Sequence, residues 1–259
     1  MAQLNDLLKM KIVKVTPENV LKEGIFCIKN AKSPGFEKKL EWFRKRYQEG
    51  LILKLVKDDQ DVTAGFIEYV PAEYAWRPVI APNYYFIHCM MVYPNKYKHQ
   101  GYGAALLQDC LDDARRHQKD GVAVMTSQGP WMADSQLFTQ NGFHLVEEKD
   151  RFELLAWSVR NETRPRFYHW ENRIKHFKGW HLLYSDQCPW HHKSAEALAQ
   201  VAQDHDLNLQ VEKIGSAQDA QKVPCGYGTF SLIHDGKLLA DHYLSASRFK
   251  NILKQEQMA

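Results

Sequence analysis

A short basic loop with two glycines is the stretch of this sequence best suited to bind a ligand. It lies between an apolar run that ends at Val92 and an amphipathic segment that begins at Ala104. Gly101 and Gly103 remove side-chain bulk where a ligand would approach the backbone. The first N–H groups of a helix that begins there have no partner within the helix, and the helix dipole favours an anion. The pattern predicts a site for a phosphate or a diphosphate.

The residues around this loop narrow the choice of ligand. Lys96, Lys98 and His99 add positive charge or hydrogen-bond donors. The Lys-Ser/Thr pair of a Walker A loop is missing, and Leu106 stands where a dinucleotide motif needs its third glycine. A tight turn that binds nothing is the alternative interpretation of the same glycines.

Residues 98–103, KHQGYG, resemble the Q/R-x-x-G-x-G/A signature of the GCN5-related N-acetyltransferases (GNAT), with Lys98 in place of the usual Gln or Arg. LFTQNGF (137–143) resembles the later helix and turn of that family, and the likeness extends over most of residues 10–159. The resemblance implies that acetyl-CoA is the co-substrate. It also implies that an amine of a small molecule or peptide attacks the thioester directly.

The resemblance also implies which residues hold the co-substrate. In such proteins the diphosphate lies on the N–H groups of the loop, and pantetheine pairs with the edge of the central strand. The implied CoA-binding residues are Met91, Val92, Lys98, His99, Gln100, Gly101, Tyr102, Gly103 and Ala104. Phe138 takes the place of the Tyr that often protonates the CoA thiolate, so another group or solvent must supply that proton.

Two carboxylates, Glu68 and Glu73, are candidates for the catalytic base. A carboxylate that is partly buried among apolar neighbours has a raised pKa, which suits it to take a proton from an ammonium group. A solvated charge at a strand end or turn is the alternative interpretation, which fits Glu68 as well as the catalytic role does and fits Glu73 better. Four further residues are candidates for an acceptor pocket, although aromatic residues at this spacing also suit a core: Tyr69, Trp76, Asn83 and Tyr84.

A longer stretch, residues 66–92, resembles the YoaP-like acetyltransferases, including the EYVPAEYAW and APNY blocks. Those proteins carry a short additional C-terminal domain. The resemblance implies that the C-terminal part of this chain is such a domain.

A cysteine in that C-terminal part is a second chemical candidate. YSDQCPWHHK (184–193) places Cys188 between a predicted strand and helix, where a helix N-terminus stabilises a thiolate. The turn resembles the active-site turn of thioredoxin-like domains, with His191 at the position of the second Cys. The alternative to an acetyltransferase is therefore a thiol-based redox or sensor protein, in which Cys188 reacts, His191 is the partner of its thiolate and the GNAT domain binds CoA. A role in packing alone also fits, and no metal is expected because four ligands at suitable spacing are not visible.

The elements that must position these residues can be predicted from periodicity. In the first part we expect strands at 11–15, 51–56, 64–70, 84–92 and 121–127, with helices at 36–49, 104–116 and 135–140. In the second part we expect strands at 180–185 and 207–214, a hairpin at 229–239, and helices at 194–204 and from Ser245 through Leu253. The predicted fold class is α/β (α+β), a mixed twisted sheet with flanking helices followed by a small thioredoxin-like α/β domain.

A change in composition along the chain predicts the domain boundaries. Residues 160–179 are rich in Arg, Lys, His and aromatic residues and show no clear period. We expect a GNAT domain at 10–159, a connector at 160–179, and a YoaP-like, thioredoxin-like domain at 180–259.

The composition limits the remaining possibilities. The chain has 259 residues, of which 44% are hydrophobic and 25% charged, and this excludes wholesale disorder. A net charge of +3 is too small for a dedicated nucleic-acid binder, and no apolar run is long enough for a membrane span. The five cysteines form no CxxC pair and the start lacks a secretory signal, so reduced thiols and a cytoplasmic location are expected. The oligomeric state is not predicted.

Overall fold

The computed structural model describes residues 10–28, 30–160 and 163–258, which form two compact units. The first unit consists of residues 10–28, Arg44–Ala75 and Val79–Phe167. The second consists of Asn30–Phe43, Trp76–Pro78 and the chain from Tyr168 onward. The units therefore interleave along the sequence.

The first unit is built on a seven-stranded mixed sheet. The strands of this unit are β1 (Lys11–Val15), β2 (Ile52–Lys57), β3 (Thr63–Pro71), β4 (Val79–Ile80), β5 (Tyr84–Val92), β6 (Gly121–Thr126), β7 (His144–Lys149), β8 (Phe152–Ser158) and β9 (Arg166–Phe167). The order in the main sheet is β1-β2-β3-β5-β6-β8-β7, and β4 pairs with β9 separately. Only β5 and β6 are parallel, and the other pairs are antiparallel. The predicted mixed sheet with flanking helices is confirmed.

Four helices lie in this part of the sequence: α1 (Val20–Glu23), α2 (Pro34–Tyr47), whose first ten residues belong to the second unit, α3 (Tyr102–Arg116) and α4 (Gln136–Gln140). Of these, α3 packs against the sheet at β2, β3, β5 and β6. The apolar stripe predicted for α3 is buried in the core: Leu106, Leu107, Cys110, Leu111 and Ala114 are each at most 3% exposed. A helix with this stripe buries one face against the sheet, and that packing fixes the position of its N-terminus.

The second unit has a four-stranded sheet of order β11-β10-β12-β13. Its elements are β10 (Trp180–Tyr184), α5 (Pro189–Asp204), β11 (Leu209–Lys213), α6 (Ala217–Ala220), β12 (Phe230–His234), β13 (Lys237–Ala240) and α7 (Ala246–Met258). The parallel strands β10 and β11 are joined through α5. As predicted, Ser245 caps the last helix, since its Oγ accepts from the N–H of Arg248 at 3.3 Å; the helix continues past Leu253. Among the described residues, no helix combines the length and apolarity that crossing a bilayer requires.

Two segments that the sequence assigned to the first domain are part of the second unit. The ammonium of Lys39 donates to the carbonyl oxygen of Gln187 at 2.7 Å, and the guanidinium of Arg77 donates to the Thr229 hydroxyl at 3.1 Å. Gly228 lies so close to Trp76 that a Cβ there would be 2.7 Å from the Trp76 carbonyl oxygen. These partners are more than a hundred residues apart in sequence, so no local pattern indicates that 30–43 and 76–78 leave the predicted 10–159 domain.

Candidate functional site

The central strand β5 loses one of its two neighbours half-way along its length. Residues Tyr84 to Ile87 pair with Gly121 to Val124 of β6, whereas in the described part of the chain the residues from Cys89 onward pair only with β3. The β6 side of the strand at Met91 and Val92 therefore presents backbone groups at the edge of a gap. An extended ligand can pair with such an edge in the way that an additional strand would.

A β-bulge at His88 marks the point where the strands separate. Glu68 of β3 lies opposite Cys89, but the next residue, Tyr69, lies opposite Ile87, so His88 is an extra residue on β5. A bulge bends its strand and breaks the alternation of side chains. His88 and Cys89, which simple alternation would place on opposite faces, both lie on the face of Glu68, since His88 contacts Glu68 and Cys89 is its cross-strand partner.

The glycine loop leads into α3 beside this gap. Gly101 is the N-cap residue of α3 and adopts a left-handed conformation with φ +85°, and no side chain caps the helix. The N–H groups of Tyr102, Gly103 and Ala104 thus lie in the first turn without an intrahelical acceptor. A fifteen-residue helix with an uncapped N-terminus suits an anion, which fits the diphosphate of CoA.

The side chains of the loop have different surroundings. Lys98, His99 and Gln100 are exposed, and the Gln100 amide donates to the carbonyl oxygen of Lys96 at 2.5 Å. Tyr102 is 8% exposed and its ring meets Tyr97 edge-on, so it offers the ligand only its backbone.

Helix α4 lies close to the start of α3. A Cβ on Gly103 would be 3.3 Å from Leu137 and 3.7 Å from the Met90 methyl group, so glycine allows these elements to approach each other. Phe138 is 1% exposed and packs edge-on against Phe143. It is a core residue with no proton to donate.

Glu68 and His88 form a buried pair at the bulge. His88 Nδ1 lies 3.5 Å from Glu68 Oε1, and the two side chains are 0% and 1% exposed. Cys89, on the same face, is exposed, so the pair lies next to a surface that a second substrate can reach. His88 was not among the candidate residues, because the bulge that brings it to Glu68 leaves no mark in the sequence.

Glu73 lies at the opposite end of β5. Its side chain is exposed, and Oε1 accepts from the N–H of Asn83 at 3.0 Å. Cys89 is six positions after Asn83, which corresponds to about 20 Å of strand. The structure therefore does not bring Glu73 and Glu68 together.

The three candidate pocket residues of the first unit have structural partners. The Tyr69 hydroxyl donates to Asp113 of α3 at 2.6 Å, the Asn83 amide donates to Asp120 at 2.9 Å, and the Tyr84 hydroxyl donates to the Thr163 carbonyl oxygen at 2.9 Å. Tyr69 and Tyr84 are both 0% exposed. Burial, followed by the negative charges around it, raises the pKa of Tyr69 above its usual value.

The other candidates belong to the second unit. Trp76 is 1% exposed and meets Trp42 edge-on, with ring centroids 5.3 Å apart. Cys188 is the N-cap residue of α5, and His191 lies in the first turn of that helix with no exposure. In the part of the chain that the structure describes, no three His, Cys, Asp or Glu side chains are grouped to hold a metal ion.

Two family models and one curated protein match this chain. The model of the acetyltransferase (GNAT) family matches residues 22–143, and the YoaP-like model matches residues 209–251. A protein of Bacillus subtilis (strain 168), described as the uncharacterized N-acetyltransferase YoaP, is 29% identical over 255 residues, which cover 94% of this chain and 98% of that protein.

Similar solved structures include a GNAT acetyltransferase of Staphylococcus aureus Mu50, with 13% identity and a TM-score of 0.44 over 58% of this chain and 99% of that one. The PaiA N-acetyltransferase of Thermoplasma acidophilum, solved in complex with coenzyme A, shows 14% identity and a TM-score of 0.42 over 58% and 99% of the two chains. The family matches span the strand β5, the glycine loop and α4 in the first unit and much of the second. Residues 22–143 therefore form a GNAT acetyltransferase domain, and the C-terminal part of the chain carries a YoaP-like region.

Proposed function

We propose that this protein transfers the acetyl group of acetyl-CoA to an amine of a small molecule or peptide by direct attack. One observation supports this most strongly: the edge of β5 from His88 onward opens beside the uncapped N-terminus of α3. An extended ligand with a diphosphate at one end suits these two features together. Acetyl-CoA has that form and supplies an activated acetyl group.

Each part of the proposed co-substrate site has a defined task. The first-turn N–H groups of α3 and the residues Lys98–Gln100 that precede Gly101 bind the diphosphate. Lys98 keeps a positive charge there, although it lacks the planar fork of arginine. The backbone of Met91 and Val92 pairs with the amides of the pantetheine arm, which aligns the thioester along β5.

Glu68 is the proposed base. The amine reaches the thioester from the face of β5 that carries Glu68, Cys89 and Met91, of which Cys89 and Met91 are exposed. Attack forms the amide C–N bond and breaks the C–S bond, so CoA leaves as the thiolate. Glu68 takes the proton from the attacking nitrogen, and His88 Nδ1 lies 3.5 Å from its carboxylate. Because Phe138 has no proton to donate, the thiolate is protonated by another group or by solvent.

An amine panel tests this proposal directly. The protein is incubated with acetyl-CoA and primary amines that range from small molecules to short peptides, and free CoA thiol and acetylated product are measured. We expect thiol release that depends on the amine, with an equal amount of N-acetylated product. Binding of acetyl-CoA without release above the rate of hydrolysis for any amine would overturn the catalytic proposal.

A further inference from the structure

The segment that joins β6 to α4 forms a closed loop at the end of the gap. Ser127 directly follows β6, and its backbone N–H donates to the carbonyl oxygen of Ala133 at 3.0 Å. Because the described part of β5 pairs with β6 only as far as Ile87 and Val124, Ser127 lies on the β6 side of the gap. The opposite side of the gap is the edge of β5 on which pantetheine is proposed to bind.

Ser127 lies on the same side of the sheet as Glu68, the proposed base. Ile67 and Tyr69, which flank Glu68 in β3, and Val124 of β6 all belong to the core cluster that contains the apolar stripe of α3. Side chains alternate along a strand, so Glu68 faces away from α3, and Ser127, three positions after Val124, does the same. The strands β3 and β6 have β5 between them, so their backbones are at least about 10 Å apart.

The Ser127 hydroxyl accepts two hydrogen bonds, and none of the described residues accepts one from it. Its Oγ accepts from the Arg151 guanidinium at 2.9 Å and from the N–H of Gly129 at 3.0 Å. A hydroxyl group has two acceptor lone pairs and one O–H donor, so these two contacts fill its acceptor positions and leave the donor. Ser127 is 2% exposed, and a buried donor without an acceptor costs free energy. An oxygen of a bound molecule would supply the missing acceptor.

The surroundings of this hydroxyl favour an oxygen with partial or full negative charge. The Arg151 guanidinium lies over the Phe152 ring, with 4.5 Å between its central carbon and the ring centroid. A Cβ on Gly129 would collide with Nη1 of Arg151, so the glycine leaves the space that the guanidinium occupies. A hydrogen bond from a cation to Oγ polarises the Ser127 hydroxyl and strengthens its O–H as a donor.

An exposed tryptophan in the same loop has a strained backbone. Trp131, four residues after Ser127, has φ +66°, which bulky residues rarely adopt, and is 45% exposed. Strain of this kind persists only where the surrounding structure enforces it, and it is frequent at ligand sites. The exposed indole offers a contact to an apolar group of the molecule that Ser127 binds.

We propose that the acceptor carries a carbonyl or carboxylate oxygen close to its amine, as an α-amino acid or the first residue of a peptide does. The Ser127 hydroxyl donates to that oxygen while Glu68 receives the proton of the amine. With a hydrogen bond of about 3 Å at each end, the distance of about 10 Å between β3 and β6 leaves a spacer of a few bonds between nitrogen and oxygen. The inference rests on the proposed function and specifies its acceptor. A plain alkylamine leaves the O–H without an acceptor, and a site that hydrogen-bonds its substrate discriminates against analogues that lack the bonding group.

Two pairs of amines test the inference on the full chain: alaninamide with ethylamine, and phenylalaninamide with 2-phenylethylamine. The members of a pair differ only in the carboxamide group, and the release of CoA thiol at saturating acetyl-CoA gives kcat/KM for each amine. We expect the wild type to favour the carboxamide member of each pair by about tenfold, per concentration of unprotonated amine. Equal or higher values for the plain amines would overturn the inference alone, whereas no acetylation of any amine would overturn it together with the proposed function.

The variant Ser127→Ala tests the hydroxyl itself. We expect kcat/KM to fall about tenfold for the carboxamides and less than about threefold for the plain amines, which make no bond to the hydroxyl. Thr126→Val is the control, because it removes the neighbouring buried hydroxyl, which donates to Glu153 at 2.9 Å, and should affect both members of a pair equally. Equal losses for both members in Ser127→Ala would overturn the inference and leave the proposed acetyl transfer intact. If Ser127→Ala fails to fold, the preference of the wild type still decides.

Discussion

At the scale of single residues, Glu68 and His88 form a buried pair at the bulge of β5. Both side chains are almost fully removed from solvent, and their closest nitrogen and oxygen are 3.5 Å apart. The Glu68 carboxylate is buried beside His88, whereas the exposed Glu73 accepts from the Asn83 backbone. Substitutions of the two candidate bases are therefore expected to have different effects on the rate.

Glu68→Gln should lower kcat by about 10²-fold or more while the KM for acetyl-CoA changes little, because the amide cannot take the proton from the amine. The measurement is the steady-state rate of CoA thiol release with a saturating amine. The parallel variant Glu73→Gln should lower kcat much less. The reverse order of effects would assign the base to Glu73.

At the scale of elements, a buried polar cluster holds α3 against the sheet. Lys54 of β2 contacts both Asp109 and Asp113, at 2.8 Å in the case of Asp113, and Tyr69 of β3 donates to Asp113 at 2.6 Å. This cluster fixes the helix whose N-terminus faces the proposed diphosphate. Burial alone would raise the pKa of Asp113, but the hydrogen bonds from Lys54 and Tyr69 outweigh it and lower the pKa.

The lowered pKa of Asp113 predicts how stability depends on pH. A carboxyl group whose pKa is lower in the folded state contributes stability above its unfolded pKa of about 3.9, and that contribution is lost as the pH falls through the folded value. Asp113→Asn should therefore flatten the loss of unfolding free energy below about pH 4, as measured by urea titrations at several pH values. Asp112→Asn, at the adjacent and more exposed position, is the control. An unchanged slope in Asp113→Asn would contradict the proposed role of the cluster.

At the scale of the whole molecule, the chain builds its second unit from three separated segments. The segment Trp76–Pro78 belongs to this unit, and Gly228 meets it at a distance that excludes a side chain. Both Gly228 (φ +80°) and Gly179 (φ +74°) have a positive φ, but a Cβ at Gly179 would meet nothing within 4 Å. An alanine at Gly179 would therefore lose stability through the backbone conformation alone, whereas an alanine at Gly228 would also lose it through a steric clash.

Gly179→Ala should cost about 1–2 kcal/mol of unfolding free energy, because alanine is disfavoured at positive φ. Gly228→Ala should cost that amount and a further 1–3 kcal/mol or so, because its Cβ would strike the Trp76 backbone. Chemical denaturation of the full chain measures both. Equal losses would contradict the placement of Trp76–Pro78 against Gly228.

Much of the fold follows from local patterns in the sequence. The strand β5, the stripe of α3 and the Asp235-Gly236 hairpin each have a period or turn signal, and the structure places them close to the predicted bounds. The anion site could be predicted because its two glycines directly precede the amphipathic segment in the sequence.

Other features depend on contacts between distant residues. The bulge at His88 arises from the register between β3 and β5, and register is not written in either strand alone. Likewise, the approach of Lys39 to Gln187 joins positions 148 residues apart. The pocket roles of Tyr69, Asn83 and Tyr84 remain predictions, since the contacts of their polar groups are with Asp113, Asp120 and Thr163.

A calorimetric titration of acetyl-CoA into the wild type, Gly101→Asn and Gly101→Asp tests the central claim most directly. Asn and Asp both tolerate the left-handed conformation of Gly101 and have almost the same shape, so they differ at this position mainly in charge. We predict micromolar binding to the wild type and at least about tenfold weaker binding to Gly101→Asp than to Gly101→Asn, because the carboxylate repels the diphosphate and occupies its N–H groups. No binding to the wild type, or equal binding to the two variants, would contradict the placement of the co-substrate on the first turn of α3.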